Sequence, residues 1–200
     1  MALLSTIRHD SIIRADDYNN YPINIVGAGA TGSRVFMALV ELGFTNIKVY
    51  DYDIVEAHNL ANQAYFNKHI NQPKVWGLRD LAERKLGISA SQTHMEFHTE
   101  RVTDRQFTGF LFLLTDTMAS RREIVDAQDK SANSELFQIF ETRMASTHGN
   151  VFHFSPTNTA QLQNWYDSLI SDDEGEVSPC GTNISVGPTA SLIANLAVWE

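Results

Sequence analysis

A single cysteine, Cys180, stands among the 200 residues. It excludes an intramolecular disulfide framework and fits a reducing compartment. No apolar run approaches the roughly 20 residues that a membrane-crossing helix needs, so no membrane partner is expected. A basic excess is also missing. With 15 Lys+Arg against 24 Asp+Glu the formal net charge is −9, the wrong sign for a general nucleic-acid-binding face. The opening "MALLSTIRHDSIIRADD" has no basic start followed by an apolar core. No secretory signal is therefore expected, and a cytoplasmic location is. Internal repeats and low-complexity tracts are absent. The rest is ordinary for a globular chain, 43% hydrophobic and 20% charged, and long enough to bury a sizeable core.

Residues 1–21 are polar and irregular, an N-terminal arm. Residues 23–27 form a short apolar run ending in Gly27, the mark of a buried strand. Val35, Leu39 and Leu42 then recur at helical spacing, with Gly43 as a stop. "NIKVYDYD" (46–53) reads as a second strand, so the chain opens as a βαβ unit with a right-handed crossover. A helix is expected after Pro73, ending at Gly87, and a third strand near 93–100. "FTGFLFLLTD" (107–116) is a continuous apolar run, as in a central strand covered on both faces. "MASRREIVDAQDK" (118–130) reads as a helix. "ELFQIFET" and "GNVFHFSP" read as two further strands, and "TAQLQNWYDSLI" as a helix. "SDDEGEVSPCG" (171–181) is an acidic surface loop. "GPTASLIANLAVW" begins a last helix inside which the sequence stops, so the chain is expected to continue past Glu200. These pieces predict one α/β domain over 1–200: the arm, a nucleotide-binding core over 22–130, and a sheet extension over 131–200.

Gly27, Gly29 and Gly32 make a G-x-G-x-x-G turn between strand and helix. In such a turn the first glycine permits the sharp bend. The second lets main chain approach a phosphate, and the third lets helix pack on strand. The helix N-terminus adds unsatisfied N–H groups and partial positive charge. Thr31 and Ser33 could add hydroxyl donors. Asp51 and Asp53 follow where a ribose-binding acid belongs, which suits a nicotinamide cofactor as well as ATP.

"DYDIVEAHNLANQAYF" (51–66) separates these options. It resembles the D-x-D-x-V-E-x-x-N-L-x-R-Q signature of the ubiquitin-activating (E1-like, ThiF/MoeB) superfamily through Asp51, Asp53, Val55, Glu56, Asn59, Leu60 and Gln63. "NQPKVWGLRDLAERK" resembles the family's lysine segment, with the lysine at Lys74. "FLFLLTDTMASRREIVD" resembles its aspartate–arginine segment, with Asp116 and Arg121. The resemblance covers about residues 23–130. Beyond that, "FETRMASTHGNVF" and "SPCGTN" look like short bacterial or phage ThiF-like proteins.

The resemblance implies a three-layer, Rossmann-like α/β fold whose mostly parallel sheet is extended by antiparallel strands after residue 135. It implies ATP and Mg²⁺ as cofactors, in a bacterial or phage-infected host cell. The implied reaction is adenylation of a carboxylate, that of a small ubiquitin-like (β-grasp) or sulfur-carrier protein, by a homodimer. Gly27, Gly29, Thr31, Gly32, Asp51, Asp53, Asn59, Gln63 and Lys74 would hold the nucleotide, Lys74 as a point charge on the phosphates. Asp116 would hold the metal. Two plainer readings stay open, Lys74 as a solvated helix lysine and Asp116 as a helix N-cap. Asn62 stands where the family has a phosphate-touching arginine. Arg14 or Arg8, in an arm that crosses to the partner's site in dimeric relatives, is a candidate substitute.

Cys180 could accept the acyl group as a thioester, its thiol activated near a helix N-terminus. A lone cysteine is more often a small buried hydrophobe. His94, Glu96 and His98 alternate along a strand as a polar, solvent-facing stripe. Paired C-x-x-C motifs are absent, so no structural zinc is expected. Trp165 and Tyr166 suit either a core or a docking surface. Two rival functions remain: a ThiF-like module that binds ATP without catalysis, and a nicotinamide- or flavin-dependent oxidoreductase.

Overall fold

Four consecutive buried residues, Ile23–Val26, form the first strand, β1. In the computed structural model, which describes residues 4–172 and 185–200, this strand lies inside a six-stranded sheet. The other strands are β2 (Ile47–Tyr50), β3 (Glu96–His98), β4 (Gly109–Leu113), β5 (Leu136–Met144) and β6 (Gly149–Phe154). Their order is β3-β2-β1-β4-β5-β6. All pairs are parallel except β5 with β6, so β6 alone supplies the antiparallel extension.

Helices α1 (Ala30–Glu41), α2 (Lys74–Leu86), α3 (Met118–Asp126), α4 (Thr159–Asp167) and α5 (Gly187–Trp199) complete the chain. Two hydrophobic clusters show the layering. One holds Val35, Phe36, Leu39, Leu78, Leu81, Ala194 and Ala197 against Ile23, Ile25 and Phe112, so α1, α2 and α5 cover one face. The other holds Ile124, Val125, Leu162 and Trp165 against Val26, Leu111, Leu113 and Ile139, so α3 and α4 cover the opposite face. Side-chain alternation along β1 and β4 feeds both layers. Trp165 is 2% exposed and therefore belongs to the core.

The registers place Val26 beside both Tyr50 and Leu113. Strands β1, β2 and β4 thus end level, and the turns that follow them share one rim. From β1 the chain goes to β2 on one side, while β4 lies on the other. This is the switch point at which open α/β sheets form a crevice. Packing there is close. A Cβ on Gly32 would lie 1.9 Å from the Gly27 carbonyl oxygen, and one on Gly27 (φ +100°) would lie 2.5 Å from the Leu114 carbonyl oxygen.

The segment between β2 and α2 is pinned by His69, which is 1% exposed. Its Nδ1 accepts from the Phe66 N–H at 3.1 Å, so Nε2 carries the proton and donates to Asp80 at 3.1 Å. Lys68 and Arg84 donate to the same Asp80 oxygen. Partial burial pushes the Asp80 carboxyl up, but these three hydrogen bonds outweigh it, and its pKa is lowered to about 2.

Two outcomes are expected from this packing. Gly32→Ala should cost about 1–3 kcal/mol of stability in urea unfolding, the usual range for forcing an atom into filled space. A carboxylate whose folded pKa is depressed stabilises above its unfolded pKa and stops doing so as pH falls. The stability deficit of Asp80→Asn should therefore be present at neutral pH. It should close between about pH 4 and the pKa of about 2, and a deficit that persists unchanged below that window contradicts the assignment.

Candidate active site

At the rim of β1, β2 and β4 the glycine turn is held by an acid. Asp51 is 8% exposed, and its Oδ2 accepts from the Ala28 N–H at 2.6 Å while its Oδ1 accepts from the Asp53 N–H at 2.8 Å. Burial raises its pKa, opposed by the nearby Lys74 charge and by the two N–H groups. On the other side of the turn the Tyr65 hydroxyl donates to the Ala28 carbonyl at 2.8 Å. Tyr65 is 3% exposed, and burial raises its pKa well above the ordinary value, so it stays a neutral donor.

The three glycines differ in their surroundings. Gly27 and Gly32 face main chain, whereas a Cβ added to Gly29 meets nothing within 4 Å. The middle glycine therefore opens onto solvent at the N-terminus of α1, where Gly29 occupies the cap position without a side-chain hydrogen bond. Main-chain N–H groups are left exposed to an anion there. Two open depressions of about 500 and 560 Å³ lie elsewhere, one beside Asp80 and Arg84, the other beside Asn46 and Lys48. The glycine turn borders neither.

Lys74 is the first residue of α2 and only 7% exposed. It is no solvated helix lysine. Its main-chain N–H donates to the Asp53 carbonyl at 2.9 Å, and its ammonium pairs with Asp53 Oδ2 at 2.7 Å. The Asp53 side chain is 48% exposed, so this ion pair has one wet end. Of the two predicted nucleotide-binding acids, Asp51 spends both oxygens on the main chain, and Asp53 is the one that faces out.

The 57–63 segment runs beside the glycine turn. Ser33 does not point to a ligand. It is fully buried, and its Oγ accepts from the Ala64 N–H at 3.1 Å, tying this segment to α1. Thr31 is buried at 8%. Asn59 accepts from the Glu56 N–H at 2.9 Å through Oδ1, which leaves its Nδ2 without a partner among the described residues. The buried side-chain oxygens of Asn62 and Gln63 also have no partner. These are groups with hydrogen-bonding capacity to spare.

Asp116 follows β4 on an exposed turn and makes no hydrogen bond or ion pair among the described residues. It does not cap α3. Thr117 does, accepting from the Ser120 N–H at 3.2 Å, while Asp172 accepts from the Met118 and Ala119 N–H groups at 2.5 and 3.2 Å. Arg121 on α3 turns back onto the same turn. It donates to the Thr115 carbonyl through Nε at 3.0 Å and Nη2 at 2.5 Å, and to Glu141 through Nη1 at 2.7 Å.

One predicted residue, Arg14, is not brought to this rim. Arg14 is exposed, and the arm packs on Gly43 and Phe44 at the C-terminal end of α1. The 12-residue α1 spans about 18 Å at 1.5 Å per residue, so Arg14 lies far from the glycine turn of its own chain. Cys180, with most of the predicted acidic loop, lies outside the described residues. Among the described residues no group of three or more His, Cys, Asp or Glu could hold a metal by itself. Glu96 of the polar stripe pairs with Lys48 at 2.9 Å.

Sequence reasoning missed Tyr65, Asp172 and Glu141. Tyr65 sits within the "QAYF" end of the polar signature, where it reads as an ordinary apolar residue. The other two carry no local signal.

Residues 4–200 match the model of the ThiF family. No curated protein matches the sequence. Among solved structures, E. coli MccB crystallised with AMPCPP and MccA is similar at 14% identity and a TM-score of 0.67, over 92% of this chain and 55% of its own. PaaA is similar at 16% identity and a TM-score of 0.68, over 100% of this chain and 66% of its own. E. coli MccB has also been solved with ATP, at 13% identity and a TM-score of 0.64. The chain thus spans between about half and two thirds of these proteins, and identities this low establish the common fold alone. With the family's pattern running through residues 4–200, the chain belongs to the ThiF family.

Proposed function

We propose that this chain is an ATP-dependent adenylyltransferase that activates a carboxylate, that of the C-terminus of a small ubiquitin-like (β-grasp) or sulfur-carrier protein. One observation carries the reading: Gly29 opens toward solvent beside a nearly buried lysine whose ion-pair partner among the described residues, Asp53, is half exposed. Such a rim offers main-chain N–H groups and a fixed positive charge to a triphosphate. The MccB structures with ATP and with AMPCPP and MccA support nucleotide binding and a small partner on this fold.

In the proposed reaction an oxygen of the substrate carboxylate attacks the α-phosphorus of ATP. A new P–O bond forms, the bond to the bridging oxygen breaks, and pyrophosphate leaves with that electron pair. Negative charge grows on the phosphate oxygens, so the protein's work is positioning and charge stabilisation. Lys74 supplies the charge, and Asn59 Nδ2 and Gln63 Nε2, neither of them engaged among the described residues, donate hydrogen bonds. Asp53 is placed to accept from the ribose hydroxyls. Asp116, exposed just past β4 and without an ion pair among the described residues, fits a Mg²⁺ held by one carboxylate and the substrate phosphates. Mg²⁺ would neutralise phosphate charge. In a homodimer, Arg14 would act on the partner's site, since it lies too far from its own.

Asn62, in place of an arginine, favours a second reading: a module that binds ATP without activating a carboxylate. Pyrophosphate exchange with a carrier separates the two.

Lys74→Ala should lower exchange about 10²–10³-fold, the usual effect of removing one well-placed charge donor. Asp116→Ala should lower it comparably and raise the Mg²⁺ concentration needed. Gly29→Ala should weaken ATP binding in calorimetry while leaving the melting temperature unchanged, because its Cβ meets no protein atom. Near-normal exchange by Lys74→Ala would refute the phosphate assignment.

A further inference from the structure

Glu141 lies in the interior, 0% exposed, yet two arginines and a tryptophan point at it. Arg121 donates to Oε1 at 2.7 Å, and Arg143 approaches Oε2 at 2.9 Å. Trp165 Nε1 donates to Oε2 at 3.0 Å. Arg143 continues to the carbonyl and hydroxyl oxygens of Ser168, at 2.5 and 3.1 Å, at the C-terminus of α4. One carboxylate therefore joins β5, α3 and α4.

Stability does not explain such a cluster. Withdrawing three charges from water is expensive, and buried ion triads are often matched or bettered by apolar packing. Two cations against one anion also leave an excess positive charge. What the cluster does provide is direction. The Arg121 guanidinium is planar and spans two acceptors, Glu141 on one edge and the Thr115 carbonyl on the other. Thr115 is further held through Oγ1, which accepts from Ser120 at 2.8 Å. The next residue is Asp116, whose side chain makes no hydrogen bond or ion pair among the described residues. Its orientation is thus set through main chain that Arg121 holds and Glu141 holds in turn.

We propose that Glu141 is a positioning residue for the Asp116 turn, acting through Arg121 on the Thr115 carbonyl. This inference rests on the adenylation reading. It adds that the geometry of the metal-facing carboxylate is determined by a residue of β5 that touches no substrate. A lysine at position 121 would keep the charge beside Glu141 but could not hold both acceptors with one planar fork.

The test uses Glu141→Gln and Arg121→Lys in the full chain. Each is compared with the unsubstituted protein by pyrophosphate exchange, ATP calorimetry and thermal melting. Trp165 serves as a reporter in a background with Trp76→Phe and Trp199→Phe, both exposed. Both variants are expected to lose about 100-fold in kcat while the ATP dissociation constant stays within about 3-fold, the pattern of lost positioning rather than lost binding. Trp165 emission should respond to MgATP in the parent and cease to do so in Glu141→Gln. Should Glu141→Gln fail to fold, Arg121→Lys decides. A lower melting temperature with unchanged kcat in the folded variant would overturn the proposal, since a merely structural role predicts that result. Failure of the unsubstituted protein to bind ATP would overturn the functional reading itself, and this inference with it.

Discussion

Everything at the crevice depends on a place where there is no room for a Cβ. The main chain of the glycine turn, the first turn of α1 and the end of β4 meet at Gly27, Gly32 and Leu114, with added atoms falling 1.9–2.5 Å from carbonyl oxygens. This contact brings the α1 N-terminus down onto the sheet at the switch point. Side chains at Gly27 or Gly32 would lift the helix and separate the turn from Asp51, whose 2.6 Å hydrogen bond to Ala28 needs that height. Asp51 then organises the rim from below. Its two oxygens hold Ala28 and Asp53, so the glycine turn and the acid paired with Lys74 are set by one carboxylate.

The βαβ opening was legible because its signals are local. An apolar run, a G-x-G-x-x-G spacing and a helical repeat each speak within a dozen residues, and β1, α1 and β2 lie where these place them. Lys74 and Asp116 were singled out by the resemblance of the segments around them, which does not say how each is held. The structure shows Lys74 nearly buried against Asp53 and Asp116 exposed beside a turn that Thr117 caps. The second strand is shorter than "NIKVYDYD" suggests, because β2 ends at Tyr50 and both Asp51 and Asp53 lie past it. Long-range partnerships left no trace. Glu141 sits among "FQIFETRM", where a glutamate reads as one more outward strand residue, and only the arrival of Arg121 and Trp165 from distant segments makes it interior. Ser33 is a similar case: a hydroxyl at a helix start suggests a phosphate donor, but Ala64, 31 residues on, takes it.

Two carboxylates thus support the rim from beneath, one on each side of the switch point. Asp51 serves the glycine turn and Lys74, and Glu141 serves the Asp116 turn. Neither has an oxygen to spare for a ligand, because both oxygens of each already accept hydrogen bonds from the protein. Precision at a site comes from supporting groups that lock those that touch the ligand. The exposed groups, Asp53 and Asp116, have few bonds of their own, and this division leaves them able to change partners.

The overall charge makes that division consequential. A chain of net charge −9 repels a triphosphate at long range, so the proposed binding would have to come from short-range groups that are already oriented. The chain's own acids stand at such groups: Asp53 on Lys74, and Asp172 on the first N–H groups of α3. An unpaired lysine at 7% exposure would carry a desolvation cost, which Asp53 offsets and which, on the proposed reading, a bound phosphate would offset in its place. Asp53 has a wet end, so handing Lys74 over exposes no buried acid, whereas Asp51 could not be given up without releasing the turn. The acid that can be displaced and the acid that cannot are therefore two residues apart, and the position of each relative to the end of β2 decides which is which.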